Sequence, residues 1–125
     1  MNIPEHLLYS AEHLWVAPTE DGQWYVGISD YAQDLLGDIV YLEAPAVGSS
    51  IKRNTACGLV ESVKTGSDLL APADGVVTEV NAAIAAAPEK INDAPYDSWI
   101  FKMRPDSAEQ RADLLDAVKY REFLG

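Results

Sequence analysis

The sequence predicts a mainly β protein with about six to eight short strands and two helices. Short runs of β-branched and aromatic residues recur along the chain, and Gly, Pro, Asn or Asp residues bound them. The stronger helical signals lie in two segments, near residues 29–36 and 107–122. Strand signals therefore dominate, and the predicted fold class is mainly β.

The first strong strand signals predict a hairpin over residues 14–28. Segments 14–18 and 24–28 are rich in β-branched and aromatic residues. The Thr-Glu-Asp-Gly sequence at 19–22 between them is typical of a turn. Residues 1–13 are polar and irregular, and coincidence or a docked N-terminal arm explains their two Glu-His-Leu triplets better than a metal site does.

A short helix is predicted directly after this hairpin. Ser29 can cap the free backbone amides, and Asp30 lies near the positive end of the helix dipole. Gly37 is expected to end the helix. Two further strands are predicted at 39–42 and 76–80.

The last third of the chain mixes weak and strong signals. The alanine-rich segment 82–87 favours a helix that is too short to be stable alone, and residues 92–96 read as a loop. Residues 99–103 predict a strand. A capping box of Ser107 and Gln110 then predicts a helix near 107–122. One apolar face of that helix would consist of Leu114, Leu115 and Val118, extended by Phe123.

Another predicted hairpin surrounds Lys64. Two apolar pairs, at 59–60 and 69–70, flank a polar turn predicted at 65–68. Gly66 can adopt a positive φ there, and Asp68 can bind nearby backbone. This arrangement would hold the primary amine of Lys64 out in water.

Charge and length restrict the classes of function. The net charge is −11, and residues 1–51 contain eight acidic residues but no Lys or Arg. Such a surface repels nucleic acid and anionic membranes and suits docking onto basic patches of partner proteins. We expect a single domain, 1–125, without a transmembrane helix or targeting peptide, in the cytoplasm.

Few residues are candidates for metal binding or catalysis. The lone Cys57 excludes an internal disulfide, and we expect a buried, inert thiol. His6 and His13 lack a third well-placed ligand, so we expect no metal site. No Ser-His-Asp or Cys-His arrangement has distinctive spacing, and a stand-alone enzyme is disfavoured.

The sequence around Lys64 resembles the lipoyl-lysine motif of the glycine cleavage system H protein family. Biotin carriers have methionines on both sides of their lysine, whereas Val63 and Thr65 stand here. Lipoyl domains of the 2-oxoacid dehydrogenases usually read Asp-Lys-Ala, which also differs. The residues that carry the motif around Lys64 are Glu61, Ser62, Val63, Gly66, Ser67 and Asp68, followed by Ala-Pro-Ala-Asp-Gly at 71–75.

The resemblance covers roughly residues 7–123, because other blocks follow in the same order. These blocks are 27–29, 32–40, 76–81, the Pro88, Asn92, Pro95 and Tyr96 spacing, and 99–102. The resemblance implies a barrel-sandwich hybrid of the lipoyl/biotinyl type, with two small antiparallel sheets. The helices near 29–36 and 107–122 would lie at its periphery.

The resemblance also implies a non-catalytic carrier with lipoate in amide linkage on Lys64. A lipoate-protein ligase or lipoyl transferase would attach it. Glycine decarboxylase would load an aminomethyl group, which an aminomethyltransferase would then pass on. Dihydrolipoamide dehydrogenase would reoxidise the arm.

One departure from the family concerns a cleft for this arm. The family normally reads His-Glu-Trp where this chain has His13, Leu14 and Trp15. Leu14 cannot offset a positive charge, so Glu12 and Asp68 are the remaining acidic candidates for the cleft. Two alternatives follow. One is an H-protein-like lipoate-binding protein that carries sulfur in bacterial sulfur oxidation, with a heterodisulfide-reductase-like complex. The other is a relative without lipoate that acts as a scaffold.

Overall fold

A computed structural model of the chain describes residues 1–125. The chain forms nine strands, which we number β1 to β9 in order. Their bounds are Leu8–Tyr9, Leu14–Pro18, Trp24–Ile28, Ile39–Glu43, Ser50–Ile51, Ala56–Ser62, Gly66–Leu70, Gly75–Val80 and Phe101–Pro105. The helices α1 to α4 are Asp30–Leu36, Ala82–Ala86, Lys90–Asp93 and Ala117–Leu124, and a 3-10 helix spans Ala108–Asp113.

The strands form two antiparallel sheets. The larger sheet has the order β1-β2-β3-β9-β8-β5, and the smaller has the order β4-β6-β7. In the predicted hairpin, β2 pairs with β3 from Leu14 opposite Ile28 to Pro18 opposite Trp24. The mainly β fold of two antiparallel sheets is therefore confirmed.

The core lies between the two sheets. Alternate residues of each strand face inward, as the period of a β-strand requires. Val16 and Val26 of the larger sheet belong to the same buried cluster as Leu42, Val60 and Leu69 of the smaller one. A second cluster joins the N-terminal arm to α4, and its members are Ile3, Leu7, Tyr9, Trp15, Ala117 and Tyr120.

The predicted helix near 29–36 is confirmed as α1. The hydroxyl of Ser29 accepts a hydrogen bond from the backbone N–H of Ala32 at 3.2 Å, which caps the first turn. Gly37 ends the helix with φ of +82° and donates its N–H to the carbonyl of Gln33. The alanine-rich segment forms α2, which Asn81 caps through the N–H of Ile84.

The prediction of one helix near 107–122 is wrong. The chain forms a 3-10 helix, becomes extended, and begins α4 only after a new cap at Asp116. The break has a cause: Leu115 exchanges both backbone hydrogen bonds with Tyr9, at 2.7 and 2.8 Å, so this segment pairs as a strand. The predicted apolar face is also wrong, because Val118 and Phe123 are exposed while Tyr120 is buried.

Two smaller corrections concern the segment before the last strand. The predicted loop at 92–96 begins inside α3, Lys90–Asp93. The predicted strand at 99–103 starts two residues later, as β9. Trp99 lies outside it and packs edge-on against Tyr25, with 5.0 Å between ring centroids. None of the helices is long and apolar enough to cross a membrane.

Candidate functional site

Lys64 lies at the tip of a tight hairpin between β6 and β7. The two strands pair from Ala56 opposite Leu70 to Glu61 opposite Gly66. Residues 63–65 alone connect them, and the side chain of Lys64 is exposed. The β6–β7 ladder thus presents one primary amine at the end of the smaller sheet.

The predicted position of the turn is wrong by about two residues. Gly66, Ser67 and Asp68 belong to β7, and Gly66 does not adopt a positive φ. The buried hydroxyl of Ser62 closes the turn instead. It accepts hydrogen bonds from the N–H groups of Lys64 and Thr65, both at 3.1 Å, and it donates to the carbonyl of Thr65. A serine hydroxyl can shape a turn without any glycine.

A second anchor fixes the turn to the start of β4. The N–H of Val63 donates to the carbonyl of Asp38 at 3.0 Å. The stem of Lys64 then lies against Gly37, where a Cβ atom would be 3.0 Å from Lys64 Cε. With a φ of +82° and ψ of −156°, residue 37 has a conformation that is almost exclusive to glycine. The C-terminal end of α1 therefore contacts the stem of Lys64 through Gly37.

The sequence did not identify Asn92 as a supporting residue. Its amide donates to the carbonyl of Gly37 and to Gln33 Oε1, both at 2.9 Å, and it accepts from the N–H of Ile39 at 2.8 Å. Asn92 thus ties α3 to both ends of the α1–β4 connection. An asparagine between two prolines indicated only a loop.

A small cavity of about 120 Å³ lies between α1 and β7. Its walls are mainly apolar, and they include Leu36, Val60 and Leu69. The structure also brings the three cleft candidates together there, since Glu12, Leu14 and Asp68 all line it. The lining of the cavity therefore combines apolar residues with two exposed acidic residues, Glu12 and Asp68.

Leu14 lies on the buried side of this cavity. It is 2% exposed, and it lies opposite Ile28 in the β2–β3 ladder. Both residues belong to the main core. The residue that departs from the family pattern thus supplies hydrocarbon to the cavity and no charge.

His13 forms another wall of the cavity and connects it to α4. Its Nδ1 lies 2.9 Å from the hydroxyl of Tyr120, which lies 2.8 Å from the hydroxyl of Ser29. Burial lowers the pKa of His13, an effect that the nearby Glu12 opposes. Burial also raises the pKa of Tyr120 to about 12. The chain of three polar groups is therefore neutral near pH 7.

The remaining candidates lie outside this site. Cys57 is half-buried against the core, and burial raises its pKa to about 11, so the thiol stays protonated near pH 7. His6 is exposed and separate from the His13 network. No group of three His, Cys, Asp or Glu side chains is arranged to hold a metal ion.

Comparisons of the chain with family models and with known sequences find proteins of the same family. Residues 7–125 match the family model described as Glycine cleavage H-protein. The chain is 60% identical to the glycine cleavage system H protein of Methylobacillus flagellatus, over the full length of both chains. It is 48% identical to the probable glycine cleavage system H protein of Pyrococcus abyssi, covering 98% of this chain and 92% of that one.

A solved structure agrees. The crystal structure of a glycine cleavage system H protein from Mycobacterium marinum superposes with a TM-score of 0.87 and 40% identity, covering 96% of this chain and 97% of that one. This likeness bears out the barrel-sandwich hybrid of two antiparallel sheets. Since the family model covers nearly the whole chain and the relatives match end to end, this chain belongs to the glycine cleavage H-protein family.

Proposed function

We propose that this protein is a non-catalytic lipoyl carrier of a glycine cleavage system, with lipoate in amide linkage on Lys64. The observation that carries the proposal is the state of the lysine. Its amine is exposed at the tip of a fixed turn, and it forms neither an ion pair nor a hydrogen bond. A surface lysine that only solubilises needs no such support from Ser62 and Asp38.

The surrounding residues fit a lipoyl group. The amine of Lys64 can be acylated, and the cavity beside the hairpin offers apolar side chains to a hydrocarbon chain. When attached, the group supplies a disulfide that can be reduced and can carry a one-carbon unit on sulfur. Leu14, Leu36 and Val60 would bind its apolar part and exclude water from it.

The acidic residues at the cavity can attract the positive charge of an amine-bearing cargo. Glu12 and Asp68 are both exposed and acidic, so they attract a cationic amine even though Leu14 does not. Glycine decarboxylase, aminomethyltransferase and dihydrolipoamide dehydrogenase are the partners that this role requires. A lipoate-protein ligase or lipoyl transferase would modify Lys64 first.

The sulfur-carrying alternative is not favoured. It depended on Leu14, the one departure at the cleft. Relatives that match 98–100% of this chain, from Methylobacillus flagellatus and Pyrococcus abyssi, are named as glycine cleavage system H proteins or probable ones. Loss of one acid at position 14 is compatible with the same role, because two others line the cavity.

Acylation of the purified protein tests the proposal. Incubation with a lipoate-protein ligase, lipoate and ATP should add one lipoyl group, measured by intact mass and peptide mapping. Lys64→Arg should abolish the addition, since a guanidinium is not acylated, while Lys90→Arg should not. The lipoylated protein should then support glycine–bicarbonate exchange by glycine decarboxylase. An unmodified native chain would favour the scaffold role, and modification without exchange would favour another cargo.

A further inference from the structure

Three side chains form a hydrogen-bonded series beside the cavity, and we call Ser29, Tyr120 and His13 the polar row. Ser29 Oγ lies 2.8 Å from the hydroxyl of Tyr120, and that hydroxyl lies 2.9 Å from His13 Nδ1. Ser29 and Tyr120 are both 0% exposed. Because neither hydroxyl reaches water, each hydroxyl hydrogen needs an acceptor within the protein.

Ser29 sets the direction of the hydrogen bonds in the polar row. Its oxygen accepts from the backbone N–H of Ala32, and the one acceptor within reach of its own hydrogen is the hydroxyl oxygen of Tyr120. Ser29 therefore donates to Tyr120, and Tyr120 donates to its other partner, His13 Nδ1. The reverse direction would leave the hydroxyl hydrogen of Ser29 buried without an acceptor, which is a costly arrangement.

This direction fixes the tautomer of His13. A ring nitrogen that accepts a hydrogen bond from a neutral hydroxyl carries no proton, so the proton of the neutral ring lies on Nε2. Tyr120 is the only hydrogen-bond partner of the ring, so Nε2–H has no partner in the protein. His13 also lines the cavity, among mainly apolar side chains. Nε2–H is therefore the one polar group that this side chain can offer to a molecule in the cavity.

We propose that His13 donates its Nε2–H to a sulfur of the lipoyl arm in its thiolate form, and that Tyr120 and Ser29 are positioning residues that hold the ring in the required tautomer. The inference rests on the proposed function, because it assumes a lipoyl group on Lys64. A thiolate is an anion and accepts strongly from an N–H, whereas a cationic amine cannot accept at all. The imidazole therefore suits the sulfur end of the arm, and the acidic residues suit an amine.

The surroundings of the ring keep it neutral. Burial lowers the pKa of His13, an effect that Glu12 opposes. Protonation of Nδ1 would also reverse the polar row and leave the Ser29 hydrogen without an acceptor. Tyr31, which packs against the ring at 4.8 Å between centroids, and Asp68, on the cavity wall, are the other titratable groups on this side. A neutral ring can bind sulfur without repelling a cationic cargo.

The tautomer can be measured in the unmodified chain by ¹⁵N NMR of the imidazole at about pH 8, where the ring is neutral. The native protein should carry the proton on Nε2 alone. Tyr120→Phe removes the donor to Nδ1 and should give a mixture of both tautomers, and an unchanged spectrum would overturn the positioning role. Tyr9→Phe is the matched control, because the Tyr9 ring stacks on Tyr120 at 4.4 Å while its hydroxyl bonds to Pro4. It should leave the His13 signals unchanged.

The contact with sulfur can be measured in the lipoylated protein after reduction of the arm. Alkylation by iodoacetamide between about pH 7 and 10, followed on the Lys64 peptide by mass spectrometry, gives the pKa of the more acidic thiol. His13→Asn keeps an acceptor for Tyr120 but has no group at the Nε2 position, so this pKa should rise by about one unit. His13→Gln places an amide N–H near that position and should reverse most of the rise. His6→Asn, at an exposed position, should have no effect.

Three results would overturn the inference. A proton on Nδ1 of the native ring would leave the cavity without a donor. A thiol pKa in His13→Asn that equals the native value, or that rises equally in His6→Asn, would place the sulfur elsewhere. Both of these results would leave the carrier function intact. A native chain that is never lipoylated would remove the function and the sulfur contact together, while the tautomer would remain as a structural feature.

Discussion

The stem of Lys64 packs directly on the backbone of Gly37. A Cβ atom at residue 37 would lie 3.0 Å from Lys64 Cε. The same position is 3.5 Å from Nζ. Gly37 also has a φ of +82°, so it combines a backbone requirement with a space requirement. The end of α1 and the tip of the β6–β7 hairpin are therefore one structural unit, although Gly37 and Lys64 are 27 positions apart in the sequence.

Gly37→Ala should destabilise the protein and displace the lysine stem. The backbone conformation costs about 1–3 kcal/mol for a residue with a Cβ. Gly48→Ala is the matched control, because Gly48 has a φ of +87° but no atom within 4 Å of its Cβ position. Urea unfolding should show a lower free energy of unfolding in both variants. The NMR resonances of the Lys64 ε-methylene should shift only in Gly37→Ala, and an equal shift in Gly48→Ala would contradict the contact.

Ser62→Ala should loosen the turn that carries Lys64. The change removes the acceptor of two backbone N–H groups, so we expect a loss of about 1–2 kcal/mol in unfolding free energy. Hydrogen exchange at the amides of Lys64 and Thr65 should accelerate. Ser50→Ala, at an exposed position on another strand, should leave both measurements unchanged. Normal exchange protection in Ser62→Ala would show that the Asp38 anchor alone holds the turn.

His13 should make stability fall as the pH decreases from about 7 to 5. Burial holds its pKa in the folded protein below the usual value of about 6.5. As the pH falls below about 6.5, His13 of the unfolded chain binds a proton before His13 of the folded protein does. The free energy of unfolding therefore decreases until the pH is also below the pKa of the folded state.

His13→Asn tests this prediction, since asparagine tolerates the positive φ of 72° at this position. The variant should lose the decrease between pH 7 and 5 in urea-unfolding measurements, whereas His6→Asn at an exposed position should retain it. A native protein with constant stability across this range would contradict the burial of a neutral imidazole.

The elements that could be predicted from the sequence were those with local causes. The strands of the 14–28 hairpin and the Ser29 cap depend on neighbours in the chain, and both were predicted. The break before α4 depends on Tyr9, which is distant in sequence. A capping signal at Ser107 could not reveal that Leu115 pairs with a strand near the N-terminus.

The candidate site shows the same division. The position of Lys64 near a hairpin tip followed from the apolar runs on each side. The geometry of the turn could not be predicted in the same way. The sequence suggested that a positive φ at Gly66 makes the turn, whereas the hydroxyl of Ser62 closes it. The role of Asn92 was missed for a related reason: its partners on α1 and β4 come together only in the folded protein.

Leu14→Glu should be costly, because the new carboxyl would lie where the native side chain is 2% exposed. Burial and the neighbouring acids Glu12 and Asp68 would raise its pKa above that of an unfolded chain. Leu14→Gln has nearly the same shape without a titrating group. At pH 7 the glutamate variant should be less stable than the glutamine variant by about 1–3 kcal/mol.

That difference should shrink as the pH falls, because the buried carboxyl of the glutamate variant becomes protonated and neutral. A raised pKa in the folded state means that the protein loses stability when the carboxyl ionises at higher pH. Urea unfolding of both variants between pH 4.5 and 7.5 would measure it, in steps of about half a unit. Equal stability at every pH would mean that the carboxylate reaches water. Position 14 would then be open to solvent, and the cavity would hold a charged group as readily as the apolar chain that we assign to it.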